Sequence, residues 1–483
     1  PSENLLVVSG APRIGVSEIL RQVYNRVFLA NAEILPAYFA IANGDRSASE
    51  TARRFAYELL LQFVAFRRRE PQLIAQRPNI DELVRKAGVS DAAFVDQVAE
   101  LVTNANDHPP SEMVRSLFSL PLRIAGMGIR CFVIFDDVHQ AIQLEDGNAV
   151  TQAIRDVCSK AEFPCVVAGR RRAVYGYFPD HRMTIDKLSF EDAGMLIESM
   201  AAKNGVSLNY QTRDLIAVQL DRDPQFIGHI VSRAAVSKVP LDSFQSFESV
   251  YADVISGGMV SRYLGSEFVN ATGGTEPART FASLAAKVAS SSKQTASAKK
   301  VFERSEMDAS GFQRAIAYLD SAEICSIHGE RFSVENDNRP LTDYLEFHRT
   351  LDIPDVSRAQ AIGERAAFYV KRAPHLMARH YRRLSAIGVA ELMRTFDGRE
   401  APTALLDYGK YRDELKGREA SDIAARLADE TEVIALPRIV YTAHSSAYYR
   451  PIGEFVDTER SAVALGFEQD GNGDIAWLAT ELD

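Results

Sequence analysis

Two short stretches of this chain carry residue types whose spacing suits phosphate chemistry. Residues 5–17 read LLVVSGAPRIGVS, an apolar run that breaks into a glycine-bearing turn. Gly10, Gly15 and Ser17 fit the spacing G-x-x-x-x-G-K-[ST], in which backbone N–H groups and a helix N-terminus cradle phosphate. The lysine of that motif brings a point charge to the β/γ-phosphates, and its Ser or Thr hydroxyl holds Mg²⁺. Here Val16 stands in the lysine's place. The cradle and the metal hydroxyl of Ser17 are kept while the cation is lost. Arg13, inside the loop, is the candidate substitute, since an arginine fork suits phosphate; the alternative is an ordinary solvated loop residue.

The second stretch, residues 131–139, reads CFVIFDDVH: an apolar strand ending in two carboxylates. Beside a phosphate loop, the first acid, Asp136, is expected to hold Mg²⁺ indirectly, and the second, Asp137, to orient or deprotonate water. His139 and Gln140 follow, with His139 expected to be a histidine of a surface loop.

These groups need a scaffold, and the pattern predicts an α/β one. Strand candidates at 5–9, 34–41, 131–135 and 165–168 alternate with helical periodicity over 16–29, 49–69, 91–103 and 150–160. Continuous apolar strands separated by helices predict a parallel sheet covered on both faces, with the loop chemistry at the carboxyl ends of the strands. From about 183 to 256 the pattern is all helical, with a helix starting at Pro224, a residue suited to the first turn. Helices at 278–289, 296–305 and 309–320, a hairpin over 324–334 turning at Gly329 and a helix at 339–347 describe a winged helix. The glycine pairs at 257–258 and 273–274 suggest a flexible linker before it. Helical pattern resumes over 356–430, and strands return at 433–442, 461–467 and 474–480. The expected domains are a P-loop NTPase-like domain at 1–182, a helical lid at 183–256, a winged helix at 257–350, a helical region at 351–430 and a small C-terminal α/β segment at 431–483.

In this order the motifs resemble the STAND and archaeal-type branch of the AAA+ P-loop ATPases, over residues 1 to about 350. The strand ending at Asp136 looks like that branch's Walker B strand. Residues 166–170, VVAGR, look like its sensor-1 strand, which implies that Arg170 senses the γ-phosphate. Residues 221–227, DRDPQFI, resemble the lid motif whose proline, here Pro224, packs near adenine, although Asp223 replaces the usual glycine. The resemblance implies ATP or ADP, with Mg²⁺, between the P-loop domain and the lid as a conformational switch, and a protein partner or homo-oligomer. Losing the lysine removes one or two charge-assisted contacts of about 1.5–3 kcal/mol each. That predicts roughly 10- to 10³-fold weaker nucleotide binding and weak or absent hydrolysis.

Bulk properties narrow the field further. A net charge of −10 gives no global pull toward nucleic acid or anionic lipid. The four cysteines, at 131, 158, 165 and 325, show no metal-binding spacing and read as reduced thiols of a cytoplasmic protein. No apolar run is long enough to span a bilayer, and the first four residues lack the basic region of a secretory signal. The abrupt start and end predict that the natural chain extends further. Two weaker motifs remain. Arg372, Arg379 and Arg383 share a helical face and offer a basic stripe for nucleic acid, the alternative being a solvated face. Asp474, Glu481 and Asp483 flank a strand in a pattern that resembles the carboxylates of a PD-(D/E)xK nuclease, without its lysine. The competing expectations are therefore a DNA-associated ATPase-like protein and an inactive P-loop scaffold for assembly.

Overall fold

A computed structural model of the chain describes residues 4–30, 33–103, 109–178, 181–291, 293–335, 338–353, 355–395, 400–402, 433–435, 440–441, 451–456, 462–469 and 475–481. The chain divides into two compact units, Pro1–Ala367 and Phe368–Asp483.

At the centre of the first unit lies a five-stranded sheet in the order β2-β3-β4-β1-β5. Its strands are β1 (Leu5–Gly10), β2 (Ile34–Ala40), β3 (Arg130–Asp136), β4 (Cys165–Arg170) and β5 (Arg182–Ile185). All neighbours run parallel. Every residue of β4 is buried, as are Val133 to Asp136 of β3, because helices cover both faces. β5 escapes the sequence pattern because it is an edge strand with three of its four residues exposed. Register decides the chemistry. Gly10 lies opposite Arg170, and Ala40 opposite Asp136, so the loop and the two motif strands end at one rim of the sheet.

Helix α1 (Val16–Ala30) starts directly after the glycine turn and buries Val16, Leu20, Tyr24 and Phe28, a stripe at four-residue spacing. Helix α2 (Ala48–Arg68) is capped by Ser47, whose hydroxyl accepts from the Glu50 N–H. Phe55 of α2 stacks on Phe118 with ring centroids 4.6 Å apart and packs on Phe135 of β3, joining helix layer to sheet.

Beyond the sheet, four helices form the lid region: Phe190–Lys203, Tyr210–Gln219, Pro224–Ser237 and Phe244–Ser256, each with a polar side chain capping its first turn. The segment between the two glycine pairs is not a flexible linker. Met259–Thr272 is helical, and Val260, Leu264, Phe268 and Ala271 bury one face of it. Helices Thr275–Ala289, Ala298–Ser305 and Ala309–Ser321 then lead into the hairpin Cys325–His328 and Arg331–Val334, which turns through Gly329 at φ 62°. Strand Thr295–Ser297 adds a third member to that antiparallel sheet, giving the winged-helix form, and Arg339–Leu351 closes it.

The helix Arg358–Thr395 carries the boundary between the units. In the second unit, Glu400–Pro402 pairs with Val433–Ala435, so a strand occurs where helix was expected. Val440–Tyr441, Ile475–Glu481, Ala462–Gln469 and Pro451–Val456 form a four-stranded sheet in that order. The strand at 451–456 is an addition to those expected. No described helix is long and apolar enough to cross a membrane.

Candidate phosphate-binding cleft

A cleft of about 560 Å³ opens at the rim where β1, β3 and β4 end. The loop 10–17, Asp136 and Asp137 line one side, while Pro224 reaches it from helix Pro224–Ser237, and Tyr263 and Glu267 from helix Met259–Thr272. The structure thus brings Gly10, Gly15, Ser17, Asp136, Asp137, Arg170 and Pro224 together.

The loop is shaped by close approach. A Cβ on Gly10 would stand 2.6 Å from Ile14 Cγ2 and 3.2 Å from the Ile185 carbonyl oxygen, so only glycine fits. Gly15 takes φ 99°, in the region that favours glycine. Its carbonyl accepts from Ile19 N–H, which leaves the first-turn N–H groups of α1 without helical partners and facing the cleft. Val16, in the lysine position, is 9 % exposed and packs beneath the loop as a core residue.

Arg13 is a buried, paired residue and not a solvated loop residue. Its Nε donates to Asp223 Oδ2 at 2.6 Å, and its guanidinium lies 4.5 Å from the Phe226 ring centroid and 5.0 Å from that of Tyr263. Asp223 also caps the helix at Pro224, with Oδ1 accepting from Phe226 N–H at 3.0 Å. Arg13 holds a left-handed φ of 69°, a conformation that costs a residue other than glycine about 1–2 kcal/mol, and this pair and stack offset that cost. Burial pushes the Asp223 carboxyl up, and Arg13 pulls it back down.

On the carboxylate side, Asp136 is buried and bonded at both oxygens. Tyr38 Oη donates to Oδ2 at 2.6 Å, and the Asp137 N–H donates to Oδ1 at 2.8 Å. Each oxygen retains a second lone pair, so Asp136 can still receive a metal-bound water, and Ser17 lines the cleft nearby. These two would hold a hydrated Mg²⁺. Asp137 sits at φ 52°, and burial, with the Asp136 carboxylate adding to it, pushes its carboxyl up to about 7. His139 is not a surface residue: it is 3 % exposed, and its Nδ1 accepts from the Arg170 backbone N–H at 3.4 Å. Burial, then the Arg170 charge, keeps the ring neutral.

Arg170 Nη2 donates to both Glu267 carboxylate oxygens, at 2.8 and 2.9 Å, and the guanidinium lies over the Tyr318 ring. Its other terminal nitrogen, Nη1, is buried without a partner, as is Gln140 Oε1 on the same cleft wall. Such orphaned groups are uncommon in native interiors. Arg171 bonds Glu323, and Arg172 bonds Asp320 and Glu335, which joins the end of β4 to the winged helix.

Sequence reasoning misses Glu267 and Tyr263, because the glycine pairs on either side make their helix look like linker; Val260, Leu264, Phe268 and Ala271 are the signal that could find it. It also misses Tyr38 and Arg21. The latter lies on α1, four residues after Ser17 and so on the same helical face.

The remaining candidates belong to the second unit. Arg372 lies over the Phe368 and Tyr369 rings of its own helix, at 5.5 and 4.8 Å. Arg379 and Arg383 belong to the same helix, with side chains outside the described residues. Asp474 and Asp483 lie outside the described residues, and Glu481 ends strand Ile475–Glu481 with its side chain likewise outside them.

The parallel sheet with its glycine loop is an α/β fold of the P-loop NTPase kind, followed by a winged-helix-like region. Solved structures with a similar fold include a Walker-type ATPase of Pyrococcus abyssi, at 9 % identity over 71 % of this chain and 91 % of that one, with a TM-score of 0.41. The Aeropyrum pernix Orc1 protein in complex with DNA shows 12 % identity over 72 % and 87 %, with a TM-score of 0.40. Drosophila ORC bound to DNA shows 13 % identity over 72 % and 81 %, at 0.33. No protein-family profile matches the chain, and no curated protein matches its sequence.

Proposed function

We propose that the cleft binds an adenine nucleotide and that its occupancy sets how the lid lies on the P-loop domain. One observation carries this reading: Arg13 and Arg170, which line the cleft with the phosphate cradle, are both held in buried ion pairs to the other side, with Asp223 and Glu267. A polyphosphate entering there competes for both arginines, so ligand and lid position are linked. The unpartnered Arg170 Nη1 and Gln140 Oε1 support a polar occupant.

Hydrolysis is weak or absent in this reading. Val16 supplies no charge to the developing phosphoryl anion, and burial with the neighbouring Asp136 carboxylate raises the Asp137 carboxyl, which makes it a less ready base. Mg²⁺, held through Ser17 and Asp136, would offset phosphate charge when bound. A bacterial-type cytoplasmic setting and a protein or self-assembly partner belong to the same proposal, as does the STAND branch.

Calorimetry with ATP and ADP, with and without Mg²⁺, tests it. Binding at micromolar to millimolar nucleotide is expected, and no heat at millimolar nucleotide rejects the switch. The nucleic-acid alternative has less behind it, because the third helix of the winged helix is engaged through Asp320 with Arg172 and through Tyr318 with Arg170.

A further inference from the structure

The cleft has lost its usual cation and two of its arginines are committed to carboxylates, so the source of positive charge for a phosphate is an open physical question. Arg13 is paired with Asp223, and Arg170 with Glu267. The third arginine on the cleft wall, Arg21, is exposed and forms no hydrogen bond or ion pair with any described residue. It is one helical turn below Ser17 on the same face of α1, the face turned toward Asp136 and Asp137. Its charge reaches that far: it lowers both the Asp137 carboxyl and the Tyr38 hydroxyl against the burial that raises them.

We propose that Arg21 is the phosphate-binding cation of this cleft, entering from the Ser17 side of α1 in place of the missing loop lysine. The inference rests on the nucleotide reading above and adds the residue that recognises the terminal phosphates. A guanidinium fork can bond two phosphate oxygens at once, which an ammonium cannot. The long arginine stem spans the turn that separates Arg21 from the N-terminal N–H groups. Because Arg21 stands on the side where a metal would lie, it also shares the metal's charge-neutralising task. Nucleotide binding is then less dependent on Mg²⁺ than where a lysine and a metal act together.

Arg21 has a second reading, as a mere counter-charge for Asp136 and Asp137. The two are separated by titrating the full chain and its variants with ATP, ADP and adenosine by calorimetry, each in Mg²⁺ and in EDTA. Arg21→Gln is expected to weaken ATP and ADP by about 10- to 100-fold, the loss of one charge-assisted contact, and to leave adenosine unchanged. Arg21→Lys should recover part of the affinity. In an Asp137→Asn background, Arg21→Gln should still weaken ATP, since the contact is with phosphate and not with the acid. Arg21 is exposed, so thermal unfolding of Arg21→Gln should match the parent. Three results overturn the inference while leaving nucleotide binding intact: an unchanged ATP affinity, an equal loss for adenosine, or a loss that vanishes in the Asp137→Asn background. Absence of binding by the parent chain under every condition overturns both readings.

Discussion

The two sides of the cleft are built on opposite principles. Toward the lid, each arginine is answered by an acid from another element, and both partners are nearly excluded from water: 8 % and 10 % exposure for Arg13 and Asp223, 9 % and 4 % for Arg170 and Glu267. Toward α1, Ser17 and Arg21 face the cleft with no carboxylate among the described residues bonded to them. On the proposed function, the first side would hold the lid and the second would receive the ligand.

The largest test of that division is Glu267→Ala. Removing one partner of a buried pair strands the other, which costs about 3–5 kcal/mol, and a urea unfolding curve should show a loss of that size. Asp223→Ala should cost less, about 2 kcal/mol from the lost helix cap, because Arg13 lies on the cleft wall and can turn to water. Equal losses for the two variants would show that the lid-facing pairs are equivalent. On the other wall, Val16→Lys restores the loop cation and should tighten ATP by about tenfold, or about 1.4 kcal/mol, as read by calorimetry. No gain would mean that the loop cannot present a lysine from a position now packed in the core.

Asp137 gives a pH-dependent test. Its carboxyl is raised to about 7 in the folded chain, against about 4 when unfolded. The stabilisation from its proton is therefore complete below about pH 4 and is lost as pH rises through about 7. Asp137→Asn should remove that downward slope, so melting temperature plotted against pH should fall less steeply in the variant. The side chain is 37 % exposed, and screening keeps the difference small. Smallest of all is Arg172→Ala, whose partners are half-exposed; its cost should stay under about 1 kcal/mol.

Much of this architecture is legible from residues alone. The glycine loop, the strand ending in Asp136 and the strand ending in Arg170 are readable because buried parallel strands announce themselves as unbroken apolar runs. β5 is not, since an exposed edge strand has no such run. The destination of Arg13 is not legible either. Nothing local to the loop shows that its partner lies 210 residues away. The loop arginine and the aspartate before the lid proline look unrelated in sequence and are one bond in the fold. Arg21 illustrates the reverse difficulty: a lone arginine at four-residue spacing from a serine is an ordinary helix surface until the opposite wall is known.

The run Arg170, Arg171 and Arg172 has a consequence for how damage spreads. Three consecutive residues reach acids at four positions, Glu267, Glu323, Asp320 and Glu335, which all belong to the segment downstream of the lid. Anchors that share a base back one another up, so losing a partly exposed one, at Arg171 or Arg172, leaves the others holding the same body in place. The joint loss should exceed the total of the individual losses. Robustness against a single change then conceals fragility against two, and the tip of one strand is where that threshold lies.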